Sequence, residues 1–252
     1  MNFCAAAACI IACVVAAGAG AEETVVVPTR PGVTDELILV PATGAPRAIA
    51  VLFPGGNGTV GRRSENFLVR TRADLAQHGL VVAVVNVPSD HSGGIDPNFR
   101  ASEEAAQDIA AIVAEMKRRN HLPVWLVGTS NGSISAANGA ARIGPPQVAG
   151  AVLTSSVWSG GMSNVALEKI AVPVLVVHNR NDRCPAANFA GAEMGLARLV
   201  AAPAKELVPV SSTAATSQPC EALAPHGYLG IEAQVVGIMA DWILAHPPAV
   251  QP

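Results

Sequence analysis

Charge is scarce in this chain: 14% of its 252 residues are Asp, Glu, Lys or Arg, the formal net charge is −3, and aromatics make up only 4%. With half of the residues apolar, the chain has neither the charged, apolar-poor composition of a disordered segment nor the basic excess that captures nucleic acid. Lysine is rarer still, found only at 117, 169 and 205, and this skew toward arginine carries no functional reading. No repeat or low-complexity tract follows Ala21. At about 150 residues per domain the length allows one to two domains, and α/β folds of this size are commonly one. A single domain over 22–252 is expected.

The amino terminus reads as a processing segment. Residues 5–19 carry no charge, Ala19-Gly20-Ala21 forms an A-x-A site, and Glu22-Glu23 follow; the pattern is that of a secretory signal over 1–21, although Met1-Asn2-Phe3 lacks the usual basic residue. About 15 apolar residues fall short of the roughly 18 to 20 that span a bilayer, so no stable membrane insertion is expected after cleavage. A lipoprotein is the minor alternative, because Ile10-Ile11-Ala12-Cys13 faintly resembles a lipobox. Cys4, Cys9 and Cys13 leave with the signal, and the two that remain, Cys184 and Cys220, read as one disulfide in a periplasmic or extracellular setting.

Strand candidates are 36–40, 48–53, 81–86, 124–127, 148–154, 172–178 and 204–210. Several are continuous Val/Leu/Ile runs, the pattern of strands buried on both faces of a parallel sheet. Between them lie helix candidates over 63–78, 103–119, 131–142, 186–200 and 229–245. The best is 103–119, with Ser102 as N-cap, Glu103 and Glu104 in its first turn, and Lys117, Arg118 and Arg119 in its last. This alternation predicts a doubly wound α/β fold, a mostly parallel sheet with helices on both faces and its site at the carboxyl ends of the strands.

One strand end carries a motif. Val124–Val127 runs into Gly128-Thr129-Ser130-Asn131-Gly132, the only G-x-S-x-G in the chain, and a helix of small residues follows. The string alone arises by chance in about one such sequence in nine; its strand-turn-helix setting makes it specific. A serine on so sharp a turn needs a strained backbone, and residues two before and two after it must be glycine to avoid collision. The alternative is a glycine-rich turn that only packs a helix onto the sheet.

Here the chain resembles the α/β-hydrolase family, whose order is nucleophile, acid, histidine. The strand over 172–177 leads into His178-Asn179-Arg180-Asn181-Asp182-Arg183-Cys184-Pro185, which looks like the family's acid loop with Asn179 in place of its usual glycine. The resemblance implies Asp182 as the acid, against a helix-capping role. Ala224-Pro225-His226-Gly227 looks like the histidine loop, and of six histidines only His91 and His226 follow strands at the active edge while only His226 follows Asp182. Cys184 and Cys220 then flank these two loops, and a bridge would tie them together; two free thiols, or a metal pair with His178, is the competing reading. The strand over 48–53 ends in Pro54-Gly55-Gly56-Asn57-Gly58, where the family carries its oxyanion loop, with Pro54 where its histidine often stands. One oxyanion donor is expected from Gly56 or Asn57 and the other from Asn131.

The resemblance spans about 49–243 and implies acyl transfer to water through Ser130, His226 and Asp182, with no cofactor or metal. Ester hydrolysis is the expected activity, on a small-molecule or acyl-ester substrate, and no large cap domain is expected, since only 155–170 offers a small cover. Trp158, Met162 and the loop over 88–94 are candidate pocket walls or ordinary packing. A peptidase or acyltransferase with the same residues is the first alternative and a non-catalytic binding module the second. Esters, amides and acyl acceptors tested side by side separate the former, and a serine-reactive probe the latter. Oligomeric state is not encoded legibly.

Overall fold

The computed structural model describes residues 21–61 and 64–248. The expected signal, apart from Ala21, and with it the lipobox-like Cys13, lies outside the described residues.

Among the described residues eight strands form one sheet: β1 (Glu23–Pro28), β2 (Thr34–Val40), β3 (Ala48–Phe53), β4 (Leu80–Pro88), β5 (Val124–Thr129), β6 (Gly150–Thr154), β7 (Val174–Asn179) and β8 (Lys205–Val210). Their spatial order is β1-β2-β4-β3-β5-β6-β7-β8. Only β2 runs against the others, antiparallel to both β1 and β4; every pairing from β4 to β8 is parallel. The doubly wound, mostly parallel expectation holds. Strand β1 was not foreseen, because it is an edge strand in which only Val25 and Val27 are buried and Val26 faces out. Two inward residues are too few to stand out from a Val-rich, signal-adjacent stretch.

The helices are α1 (Phe67–Arg70), α2 (Arg72–Gln77), α3 (Pro97–Arg100), α4 (Glu103–Asn120), α5 (Gly132–Arg142), α6 (Phe189–Arg198) and α7 (Glu232–Ala245). Alternate residues of each strand feed two cores. On one face Ile49, Val51 and Phe53 of β3 meet Ile109, Ile112 and Met116 of α4 and Ile134 of α5. On the other, Ala48, Ala50 and Leu52 meet Phe67 and Leu68 of α1, Leu75 of α2 and Val236 and Met239 of α7. Burial on both faces is why these strands read as unbroken apolar runs.

The expected cap on α4 forms: Ser102 Oγ accepts from the amide of Ala105 at 3.1 Å. The helix expected over 63–78 is instead two short ones meeting at Thr71, whose hydroxyl turns back onto the carbonyl of Phe67 at 2.7 Å. Helix α3 escaped notice because four residues carry no period; Asp96 caps it, its carboxylate accepting from the amides of Asn98 and Phe99.

The segment over 155–170 is no cover. It makes two single 3-10 turns, Gly160–Asn164 and Leu167–Lys169, and sends Met162, Val165, Leu167 and Ile170 into the α4/α5 core.

Candidate active site

Ser130 sits between β5 and α5 at φ +52°, a left-handed backbone that costs a non-glycine residue about 1 kcal/mol or more. The turn is tied down around it. Its amide donates to the carbonyl of Thr154 at 3.0 Å, and its carbonyl accepts from the amide and hydroxyl of Ser133 at 3.0 and 2.6 Å. The glycine requirement at this turn is steric: a Cβ on Gly128 would lie 2.2 Å from the carbonyl oxygen of Gly132, and one on Gly132 would lie 1.9 Å from that of Phe53.

Asp182 follows β7 and its side chain is fully buried. Oδ1 accepts from the amide of Cys184 at 2.9 Å, and Oδ2 accepts from Nδ1 of His226 at 2.8 Å. His178, also fully buried, places Nε2 3.6 Å from Oδ2 of Asp182 while donating to the carbonyl of Ala187 at 3.0 Å. Burial holds the His178 imidazole below its ordinary pKa, which favours the neutral ring beside the Asp182 carboxylate.

His226 lies in a 3-10 turn, Pro225–Gly227, closed by Tyr228 at φ +61°. The turn hangs from β6 and β7. Tyr228 donates its phenolic hydrogen to the carbonyl of Val177 and accepts from the amide of Ser155, both at 2.7 Å, and the Ser155 hydroxyl donates to the carbonyl of His226 at 2.6 Å. Full burial raises the Tyr228 phenol well above its ordinary value, so it stays a donor. Asn179 adds a third tie: its amide nitrogen donates to the carbonyls of Pro225 and Ser212 at 3.1 and 3.2 Å. Neither Ser155, Tyr228 nor Asn179 was singled out from sequence for this task; a lone buried tyrosine two residues after the histidine was the signal available.

The expected disulfide joins Cys184 to Cys220, with Cα atoms 4.6 Å apart, and bridges the acid loop to the histidine loop.

Ser130, His226, Cys220, Gly55, Gly56 and Asn57 line one open cleft of about 500 Å³. Gly55 packs against the serine, where a Cβ would come within 2.9 Å of Ser130 Cβ. The structure thus brings together Ser130, the Asp182–His226 pair and the 54–57 loop. It draws no hydrogen bond between Ser130 and His226: Nε2 of His226 is buried without a partner among the described residues. The amides of Gly56, Asn57 and Asn131 likewise donate to no protein acceptor among the described residues, and the Asn131 side chain donates to the carbonyl of Gly56 at 3.2 Å.

Trp158 and Met162 are not pocket walls. Met162 is fully buried in the core, and the Trp158 ring packs over Gly191 and Gly195 of α6. The 88–94 loop touches the site only indirectly, through Asn57, whose side chain donates to the carbonyl of Gly93. No cluster of three or more His, Cys, Asp or Glu suited to a metal occurs among the described residues.

No family model and no curated protein sequence matches the chain. Solved structures do. The dienelactone hydrolase of Anabaena variabilis superposes with a TM-score of 0.69 at 20% identity, over 90% of this chain and 98% of that one. An α/β serine hydrolase homologue from Coxiella burnetii gives 0.65 at 16% identity, over 88% and 97%. Est1E of Butyrivibrio proteoclasticus, solved with ferulic acid bound, gives 0.65 at 14% identity, over 88% and 98%. With its strand order, its single reversed strand and near-complete overlap with these structures, the chain has the α/β-hydrolase fold, without a large cap domain.

Proposed function

We propose that this protein is a serine hydrolase of carboxylic esters, with Ser130 as nucleophile, His226 as base and Asp182 as the acid that orients it. The observation that carries the reading is the 2.8 Å contact from His226 Nδ1 to Asp182 Oδ2, which fixes Nδ1 as the protonated nitrogen and leaves Nε2 free, in the same cleft as a serine on a strained strand-to-helix turn.

In the reaction, Nε2 of His226 takes the proton of Ser130 as Oγ attacks the acyl carbon. The electron pair of the carbonyl moves onto its oxygen, where the amides of Asn131 and of Gly56 or Asn57 stabilise it. Collapse of the adduct expels the alcohol, which leaves with the proton from His226, and an acyl-serine remains. Water, deprotonated by the same nitrogen, repeats the attack and releases the acid and Ser130. Asp182 keeps the imidazole in its productive tautomer and stabilises the imidazolium without itself taking the proton.

Asn57, Thr59, Ser64 and Asn66 line the cleft, and so polar a lining favours short or polar acyl groups over long chains. Est1E with ferulic acid bound and the dienelactone hydrolase, both similar in fold, fit the same substrate class.

Export is part of the proposal. The disulfide suits an oxidising compartment, and cleavage after Ala21 would leave β1, which starts at Glu23, intact. A periplasmic or secreted product beginning at Glu22, read by mass spectrometry, tests it.

The activity test is a panel of nitrophenyl esters of increasing chain length, run beside peptide amides and acyl acceptors, with fluorophosphonate labelling. Labelling confined to Ser130, ester turnover that falls with chain length, and loss of both in Ser130→Ala are expected. Turnover that survives in Ser130→Ala would sink the reading. Faster cleavage of amides, or transfer to acceptors, would replace it with the peptidase or acyltransferase alternative.

A further inference from the structure

A buried, unpaired cation lies directly beneath the proposed oxyanion loop. Arg100, the last residue of α3, is 1% exposed and has no carboxylate within ion-pair distance among the described residues. Burial lowers its pKa to about 10, which leaves it charged at neutral pH. Its acceptors are chosen from the loop. Nη2 donates to the carbonyls of Pro54 at 3.1 Å and Gly56 at 3.3 Å, and Nη1 donates to Ser135 Oγ of α5 at 3.0 Å. Nε has no acceptor among the described residues, and Arg100 lines a small cavity of about 40 Å³ together with Asp35 and Asp108.

An unpaired guanidinium is an expensive way to fill a core, where Met or Leu would serve better. Its worth lies in what it holds. The loop contains Gly55 and Gly56, the latter at φ +61°, and peptide planes between glycines rotate easily because no Cβ opposes them. In each peptide the carbonyl and the following amide point in opposite directions, so anchoring an oxygen aims a hydrogen. The Gly56 carbonyl is held twice, by Arg100 from below and by Asn131 Nδ2 beside the nucleophile at 3.2 Å. The carbonyl of Gly55, between the two anchored ones, accepts from the amide of Gly58 at 3.2 Å. All three peptide planes from Pro54 to Asn57 are therefore tied.

We infer that Arg100 is a positioning residue for the oxyanion hole: by anchoring the Gly56 carbonyl it keeps the Asn57 amide aimed into the cleft, by anchoring the Pro54 carbonyl as well it fixes the planes on both sides of the Gly55–Gly56 peptide that carries the Gly56 amide, and a flip of the Gly56 carbonyl would take an acceptor from a buried charge. Preorganised donors stabilise the transition state without reorganising during the reaction, so the effect falls on kcat and leaves ground-state binding nearly untouched. This role rests on the hydrolase reading above.

The test compares wild type with Arg100→Met and Arg100→Lys. A short nitrophenyl ester gives kcat and KM, an alkyl boronic acid that adds to Ser130 gives transition-state affinity, and NMR of the Gly56 and Asn57 amides gives loop order without turnover. For Arg100→Met we expect kcat to fall about 10- to 100-fold with KM within about twofold, and boronate affinity to fall in step with kcat/KM. The two amide signals should broaden, with Arg100→Lys intermediate. A folded Arg100→Met with unchanged kcat, or with amides as sharp as in wild type, overturns the inference.

Should Arg100→Met not fold, Asn131→Ala removes the second donor to the Gly56 carbonyl while keeping the backbone amide. Combined with Arg100→Lys its loss should depart from the product of the single losses, in either direction, because both act on one carbonyl; multiplicative losses overturn the inference. If wild type neither labels at Ser130 nor turns over any ester, the hydrolase reading fails by itself, and the NMR comparison still decides whether Arg100 orders the loop.

Discussion

The side-chain amide of Asn179 donates to the carbonyl of Pro225 at 3.1 Å, joining the end of β7 to the residue just before His226. Glycine is usual at this position in the family the chain resembles, and the substitution looked like a mere loss of freedom in the turn. It adds a strut. The same side chain accepts from the amide of Asn181 at 3.0 Å, so one asparagine serves both the acid turn and the histidine loop.

Asn179→Gly should therefore impair rather than improve the protein. With the Pro225 and Ser212 carbonyls left without that donor, stability should drop by about 1–3 kcal/mol. If the proposed roles hold, kcat should fall with KM little changed. Urea unfolding and steady-state kinetics check both.

The Cys184–Cys220 bridge closes a loop with a sequence separation of 36. Chain entropy assigns it about 4 kcal/mol of stability. Cys184→Ala together with Cys220→Ala should lower the urea midpoint accordingly. Because Cys220 lines the cleft, reductant should depress ester turnover of wild type and leave the double variant unaffected.

Gly128→Ala drives a methyl group to 2.2 Å from a backbone oxygen that cannot move without breaking the α5 start. A loss of about 3 kcal/mol and of serine labelling is expected. Gly237→Ala is the control: it lies in α7 with nothing within 4 Å of the added carbon, and helix propensity should stabilise it by up to about 1 kcal/mol. Differential scanning calorimetry of the two variants separates steric demand from simple glycine content.

Asp35 is buried on β2, and burial, followed by the nearby charge of Asp108, raises its pKa from 3.8 to about 7. The folded state therefore binds a proton that the unfolded chain releases near its ordinary value. Stability from this group is full below about pH 4, declines as pH rises, and levels off above about pH 7; the total loss is at most about 4 kcal/mol. Asp35→Asn should remove that slope and be the more stable protein at pH 8, as unfolding curves from pH 4 to 8 would record.

The parts legible in sequence were those governed by local rules. Continuous apolar runs marked five of the parallel strands, the Ser102 cap and charged ends marked α4, and glycines at 128 and 132 marked a turn whose sterics permit little else. Chain order then pointed to Asp182 and His226, and the parity of the remaining cysteines to one bridge. Strand β1 and helix α3 were missed because two buried valines and a four-residue turn leave no period to read. For Trp158 and Met162 the choice between pocket wall and ordinary packing stayed open, because an apolar side chain in a loop reads the same whether it faces a cleft or the core.

What the sequence determined by itself was the list of chemical groups and the places where the backbone had to turn. What only tertiary structure decided was their support. Tyr228 hangs the histidine turn from β6 and β7, Asn179 braces it, and Arg100 lies under the 54–57 loop from a helix 44 residues away from Gly56. Hydrogen bonds of that span have no signature in composition or spacing, because the donor and acceptor meet only after the sheet has brought distant strand ends to one edge.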